Sequence, residues 1–283
     1  MKVPAPLQPL LEDGLIDEVV RPLRSGKEAT VYVVRCGEEL CCAKVYKDVR
    51  QRGFRQAVQY QEGRKVRNTR QARAMEKRTS YGRREQETAW HSAEVNALYR
   101  LVAAGVRVPV PQGLFDGVLL MELIVDAGGD VAPRLGDLVL EPQQACAYHA
   151  RLIGDIVRML CAGMVHGDLS EYNVLVGTDG PVIIDLPQAV EAAVNNSAQA
   201  LLERDVANMT SYLGHFAPQL LGTAYGPEIW QLYAAGDLSP DSVLTGQVEL
   251  DTTPADVVEV LREIEAARQE ALMRQEAREA AGQ

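Results

Sequence analysis

No run of eighteen consecutive apolar residues occurs in this 283-residue chain, so no segment reads as a membrane-crossing helix and no membrane partner is expected. Met1-Lys2-Val3-Pro4-Ala5-Pro6 carries neither the apolar stretch nor the cleavage site of a secretory signal, which makes the cytoplasm the expected location. Cysteine is scarce: Cys36, Cys41, Cys42, Cys146 and Cys161 are odd in number and form no Cys-x-x-Cys pair. Neither a zinc site nor a disulfide framework is therefore expected, and the five read as reduced core residues. Internal repeats are lacking as well. What remains is a length that can bury a substantial core and that suits two lobes sharing a cleft.

Charge is unevenly spread. The formal net charge is −10, yet between Lys47 and Arg84 there are 13 Lys or Arg against 3 Asp or Glu, so that segment carries +10 and the rest −20. Stretches such as Gly63-Arg64-Lys65-Val66-Arg67-Asn68-Thr69-Arg70 have too few apolar positions to offset ordering entropy. Residues 47–84 are thus expected to form a flexible basic insert, either a solvated loop or a surface facing RNA or an acidic partner.

The chemistry is concentrated further on. Val165-His166-Gly167-Asp168-Leu169-Ser170-Glu171-Tyr172-Asn173 is followed by Val182-Ile183-Ile184-Asp185. Phosphoryl transfer from a nucleotide needs a carboxylate near the attacking hydroxyl and oxygen ligands that hold a divalent cation against the phosphates. Asp168, Asn173 and Asp185 fit those roles, Asp168 as the carboxylate near the attacking hydroxyl and the other two as metal ligands. The step from Asn173 to Asp185 leaves room for one hairpin, with Val174-Leu175-Val176 and Val182-Ile183-Ile184 as strands and Gly177-Thr178-Asp179-Gly180 as the turn.

Upstream, Arg24-Ser25-Gly26-Lys27-Glu28-Ala29-Thr30-Val31-Tyr32 reads as a turn feeding a strand, where Gly26 allows backbone to approach a phosphate and Ser25 can donate to it. Lys44 stands alone within the apolar strand Leu40-Cys41-Cys42-Ala43-Lys44-Val45-Tyr46. A buried ammonium needs an anion. The helical spacing of Trp90, Ala93, Ala97, Leu98, Leu101 and Val102 places Glu94 on the inward face of a helix over 86–104, and that carboxylate is the expected partner. Gly117 to Ile124 is an apolar strand running into Gly-rich sequence, the natural crossing between lobes. There an adenine would meet main-chain groups of Glu122 and Ile124, with Met121 packing beside it. A long helix is expected from Glu141 to Ala162, a second over 198–214 with Asp205 near its start, where that acid is expected to hold the catalytic-loop backbone, cap the helix or join a surface ion pair, and a third from Thr253, whose apolar stripe gives out after Ala266.

Together, Ser-Gly-Lys-Glu-Ala-Thr-Val-Tyr at 25–32, Ala-Lys-Val-Tyr at 43–46, His-Gly-Asp-Leu-Ser-Glu-Tyr-Asn at 166–173 and Ile-Asp-Leu-Pro-Gln-Ala-Val at 184–190 resemble the RIO atypical protein kinases, over roughly residues 15 to 265. The resemblance implies an α+β, two-lobed protein-kinase-like fold: a small β-rich N-lobe with one main helix, a larger helical C-lobe, and an ATP cleft between. It divides the chain into an N-terminal tail (1–14), the N-lobe (15–122), the hinge and C-lobe (123–252) and a charged helix (253–283). It implies ATP with magnesium, or manganese in its place, and serine/threonine phosphorylation of protein, the enzyme itself included. Asp168 would be the catalytic aspartate, Asn173 and Asp185 the metal ligands, Lys44 the phosphate-contacting lysine held by Glu94, and Ser25 a phosphate-loop contact. Gly167 stands where ordinary protein kinases carry arginine, Leu186-Pro187 stands in place of Phe-Gly, and no Ala-Pro-Glu segment follows. Switching through activation-loop phosphorylation is therefore not expected. Some members are ATPases that pass through an aspartyl phosphate, which would fall on Asp185 here; that is the alternative reading, with the basic insert gripping RNA or an acidic partner.

Overall fold

The alternation of β-branched and apolar residues near the N-terminus produces three long strands, β1 (Glu18–Ser25), β2 (Ala29–Cys36) and β3 (Glu39–Tyr46). Two shorter ones, β4 (Pro111–Phe115) and β5 (Val118–Glu122), complete an antiparallel sheet of order β1-β2-β3-β5-β4. The computed structural model describes residues 3–26, 29–47 and 93–248. The insert expected at 47–84, apart from Lys47, and the helix expected from Thr253 lie outside those residues.

β1 and β4 were not anticipated as strands, and both carry proline: Pro22 lies in β1 and Pro111 opens β4. Each lies at a sheet edge, where a missing N–H costs no ladder bond, and the β1–β2 register slips on either side of Pro22. β4 and β5 are joined by Asp116-Gly117, both at positive φ (46° and 79°), the pairing a tight two-residue hairpin turn requires.

β3 is buried on both faces. Cys41, Ala43 and Val45 pack with Leu7, Leu10 and Ile16 from the N-terminal segment, whose short helix α1 spans Gln8–Glu12. On the other face Cys42 packs with Val33 and Leu123, flanked by Leu23, Val31 and Met121. The helix expected over 86–104 is described from 93 to 103 and is termed α2. Val95, Leu98 and Leu101 face the main core, as the spacing requires.

The second lobe is built on α3 (Pro142–Cys161), with Pro142 in its first turn and Leu152, Ile153, Ile156, Val157 and Leu160 buried along one stripe. Gly163 ends it at φ 74°. The short strand β6 (Met164–Val165) follows, then the hairpin β7 (Val174–Gly177) and β8 (Gly180–Ile183); the second strand starts two residues before the expected Val182 and ends at Ile183, so the expected four-residue turn shortens to Thr178-Asp179. β9 (Val190–Glu191) pairs with β6. Helices α4 (Ala198–Gly214) and α5 (Tyr225–Ala235) close the core, and the latter was not anticipated. The expected two-lobed α+β arrangement is the one observed. Among the described residues no helix is long and apolar enough to cross a membrane, and all five cysteines are free.

Candidate active site

Lys44 lies mid-sheet, opposite Val31 on β2 and Leu119 on β5. Its side chain leaves the cleft face of β3 and is about one-tenth exposed. Nζ donates to Glu94 Oε1 at 2.6 Å and to Asp185 Oδ1 at 3.1 Å. The two carboxylates lie 50 and 141 residues away in sequence, so the tertiary fold alone brings them together. Tyr46, two residues on and hence on the same face of the strand, donates its hydroxyl to Glu94 Oε2 at 2.5 Å. Its ring lies 5.6 Å from the ammonium. Burial pulls the Lys44 ammonium toward neutrality, but the charges of Glu94 and Asp185 outweigh it and hold the pKa above its ordinary value. Burial likewise opposes the charge on Asp185, and Lys44 reverses that effect, leaving the carboxyl below its usual range.

The loop after β6 is fastened at nearly every backbone group. Gly167 adopts φ 81°, a conformation a side chain would disfavour. Its N–H donates to Asp205 Oδ2 at 2.7 Å, and the N–H of Leu169 donates to Asp205 Oδ1 at 2.9 Å. Arg204 donates to the Gly167 carbonyl, and Asn208 Nδ2 to the Leu169 carbonyl at 2.9 Å. Asp205 lies in the middle of α4 rather than near its start, so it is no helix cap; from that position it clamps the loop backbone. Burial pushes its carboxyl up against the pull of the two amides. Arg204 and Asn208 were not singled out from sequence, although Asn208, at i+3 of Asp205, shares its helix face; Arg204, one residue before it, reaches the loop from the adjoining face.

His166 accepts the Asp168 N–H at Nδ1 (3.3 Å), which places its proton on Nε2, facing the Ile184 carbonyl at 3.1 Å. Asn173 Nδ2 donates to the Asp168 carbonyl at 2.8 Å, fixing the direction of its amide oxygen, and Ile184 N–H donates to the Asn173 carbonyl at 3.0 Å. The residue before Asp185 is thereby tied to Asn173. Asp185 itself has φ 69°, uncommon outside glycine, and a half-exposed side chain.

No cluster of three or more His, Cys, Asp or Glu suited to a metal occurs among the described residues. One carboxylate and one amide oxygen nevertheless suit magnesium, which binds through one or two protein oxygens, completed by substrate phosphates and water.

The residues expected to contact phosphate, Ser25 and Gly26, form a group with Lys47 and Thr30. Lys47 Nζ donates to Ser25 Oγ at 2.9 Å and to the Gly26 carbonyl at 2.7 Å, while Ser25 Oγ lies 3.2 Å from Thr30 Oγ1. A Cβ on Gly26 would meet the Ala29 carbonyl at 3.6 Å, an ordinary contact, so the strands themselves do not demand glycine there.

At the lobe crossing, the Glu122 carboxylate is turned away into a two-point pair with Arg107, at 2.7 and 2.8 Å, and accepts the Val110 N–H at 3.1 Å. Burial raises its pKa, but these donors win and hold it low. The Glu122 N–H is taken by Val110 O and the Ile124 carbonyl by Ala132 N. Met121 faces Cys42 across the sheet and joins the apolar cleft lining, and Ile124 is buried with Ala132 and Val182, against which Leu175 packs.

The family model described as "RIO domain" matches residues 30–223. The RIO-type serine/threonine-protein kinase Rio1 of Haloferax volcanii is 35% identical over 210 residues, 74% of this chain and 67% of that protein. The protein of the same name from Methanocaldococcus jannaschii is 31% identical over 205 residues (72% and 65%), and the human serine/threonine-protein kinase RIO1 is 30% identical over 207 residues (72% and 34%). The chain thus spans about two thirds of the first two relatives and about one third of the human protein. A solved kinase domain aligns over 72% of this chain and 65% of its own at 12% identity, with a TM-score of 0.47.

Proposed function

The chain belongs to the family of RIO-type serine/threonine protein kinases, and from that premise we propose that it transfers the γ-phosphate of ATP to serine or threonine hydroxyls of protein, itself included. The observation that carries the reading is Lys44 held between Glu94 of one lobe and Asp185 of the other. A lysine fixed by a carboxylate beneath an apolar slot is suited to a nucleotide's phosphates, since transfer depends on positioning and charge neutralisation.

The adenine lies between Val31 and Cys42 above and Leu175 below, its polar edge at the Glu122 carbonyl and the Ile124 N–H. Gly26 and Ser25 cover the phosphates, and the approach of those phosphates supplies the demand for glycine that the strands do not make. Asn173 and Asp185 would hold magnesium, or manganese in its place, and that ion supplies neutralisation of charge on the phosphate oxygens. Asp168 Oδ1 accepts the proton of the attacking hydroxyl as that oxygen bonds to phosphorus and the bond to the departing ADP oxygen breaks. Free cysteines throughout the described residues suit a reducing compartment, and we place the enzyme in the cytoplasm.

The test is incubation with γ-labelled ATP and magnesium. Asp168→Ala is expected to cut labelling about a hundredfold or more with nucleotide binding retained, and equal labelling by wild type and variant would overturn the assignment.

A further inference from the structure

The segment that stands in place of Phe-Gly after the metal-loop aspartate is a turn. Ala189 N–H donates to the Leu186 carbonyl at 3.0 Å, closing a four-residue turn with Pro187 at its second position, where the fixed proline φ is pre-organised. Leu186 is 2% exposed and Ala189 7%, so both ends are sunk in the main core. That leaves Gln188 at the third position, and its Nε2 donates to Asp168 Oδ2 at 3.1 Å.

Asp168 Oδ2 accepts from Gln188, its backbone N–H is taken by His166 and its carbonyl by Asn173. Two of these bonds hold the Asp168 main chain, and the Gln188 amide restrains the carboxylate at Oδ2, with no hydrogen bond to Oδ1 among the described residues. The donor is a neutral amide, which orients a base without cancelling its charge as a lysine would.

We propose that Gln188 is a positioning residue for the phosphotransfer: held by the Leu186–Ala189 turn, it orients the Asp168 carboxylate toward the acceptor hydroxyl and ties the loop carrying Asp185 to the loop carrying the base. The inference rests on the kinase reading above and deepens it. Leu-Pro-Gln is then more than the loss of a mobile Phe-Gly pair, because it couples the metal loop and the base through one side-chain hydrogen bond. Filling the cleft strengthens that bond by removing the water that competes for it.

Two measurements test it, one independent of turnover. In the nucleotide-free protein, the side-chain amide signals of Gln188 in a nitrogen–proton correlation spectrum should move on Asp168→Asn, which removes the charged acceptor of the bond. Signals unaltered by that substitution would overturn the contact. In steady-state assays, Gln188→Ala should lower kcat about tenfold, the order of one lost hydrogen bond to a charged group, with KM for ATP unchanged, and the acid limb of the kcat profile should move to higher pH. Gln188→Glu should move that limb further, since a second carboxylate beside the first opposes its ionisation. A fall in kcat with an unmoved profile would mark Gln188 as merely structural and overturn the inference. If Asp168→Ala abolishes labelling while the Gln188 variants behave as wild type, this inference fails and the kinase reading stands; wild-type labelling equal to Asp168→Ala, with the Gln188 amide signals still moved by Asp168→Asn, sinks the reading and spares the contact.

Discussion

At the scale of single residues, the energetics centre on Lys44. A buried ammonium between two carboxylates is costly to isolate, and so is the carboxylate left behind when it is removed. Lys44→Met is therefore expected to lower stability by about 3 kcal/mol, because Glu94, 4% exposed, is left among the described residues with the Tyr46 hydroxyl alone. Adding Glu94→Gln should recover part of that loss, since the carboxylate still left without its lysine, Asp185, is half-exposed. Urea midpoints for the two single variants and the double variant measure this directly, and strict additivity would contradict the pairing. Lys44 and Glu94 were both legible in the sequence, the lysine as a lone cation in an apolar strand and the acid as a polar residue on an apolar helix stripe. Tyr46 was not: a tyrosine at the end of an apolar strand reads as packing, and only the fold shows its hydroxyl completing Glu94.

At the scale of elements, α4 holds the catalytic loop, and α3 packs on α4 through a buried histidine. Asp205→Ala would strand the amides of Gly167 and Leu169 and should cost about 3 kcal/mol, with kcat falling more than KM for ATP; Asp205→Asn, which keeps one acceptor, should fall between. His149 is 2% exposed and its Nε2 lies 2.8 Å from Thr210 Oγ1. Burial depresses its pKa, so the unfolded chain takes up the proton first. The stability contributed is complete above the unfolded value of about 6.5 and is lost as the pH falls from there through the depressed folded value. Thermal midpoints between about pH 7.5 and 5 should fall more steeply for wild type than for His149→Gln. Under the hinge, a Cβ on Gly177 would lie 2.9 Å from Ile124 Cγ2 and 3.3 Å from the Val125 carbonyl. Gly177→Ala should thus cost about 1–3 kcal/mol and raise KM for ATP, which nucleotide titrations would show. The hairpin β7–β8 was legible because both strands and the turn carry local signals, whereas β1 was hidden by its internal proline, which only an edge position tolerates.

At the scale of the whole molecule, charge and lobe closure matter most. Residues 47–84 carry +10 against −20 elsewhere, the asymmetry behind the expectation of either a solvated basic loop or a surface for RNA or an acidic partner. Any such association should weaken steeply with salt, and a polyanion affinity that does not change between about 50 and 200 mM salt would exclude phosphate tracking. The two lobes meet through Lys44 and Asp185, so Asp185→Asn should loosen the cleft as well as impair catalysis, seen as faster amide exchange along β3 and β8.

The sequence by itself supplied the residues to which the chemistry is assigned in our proposal: an aspartate, an asparagine and a second aspartate in fixed order, a lone strand lysine, and a hairpin between the last two of the three, since these depend on residue type and short spacing. Only the tertiary structure decided how the parts are held. Asp205 reaching the loop from mid-helix, Glu122 turned away to Arg107, Tyr46 completing Glu94 and Gln188 orienting Asp168 are contacts between distant segments, and no local propensity encodes a distance that chain packing alone sets.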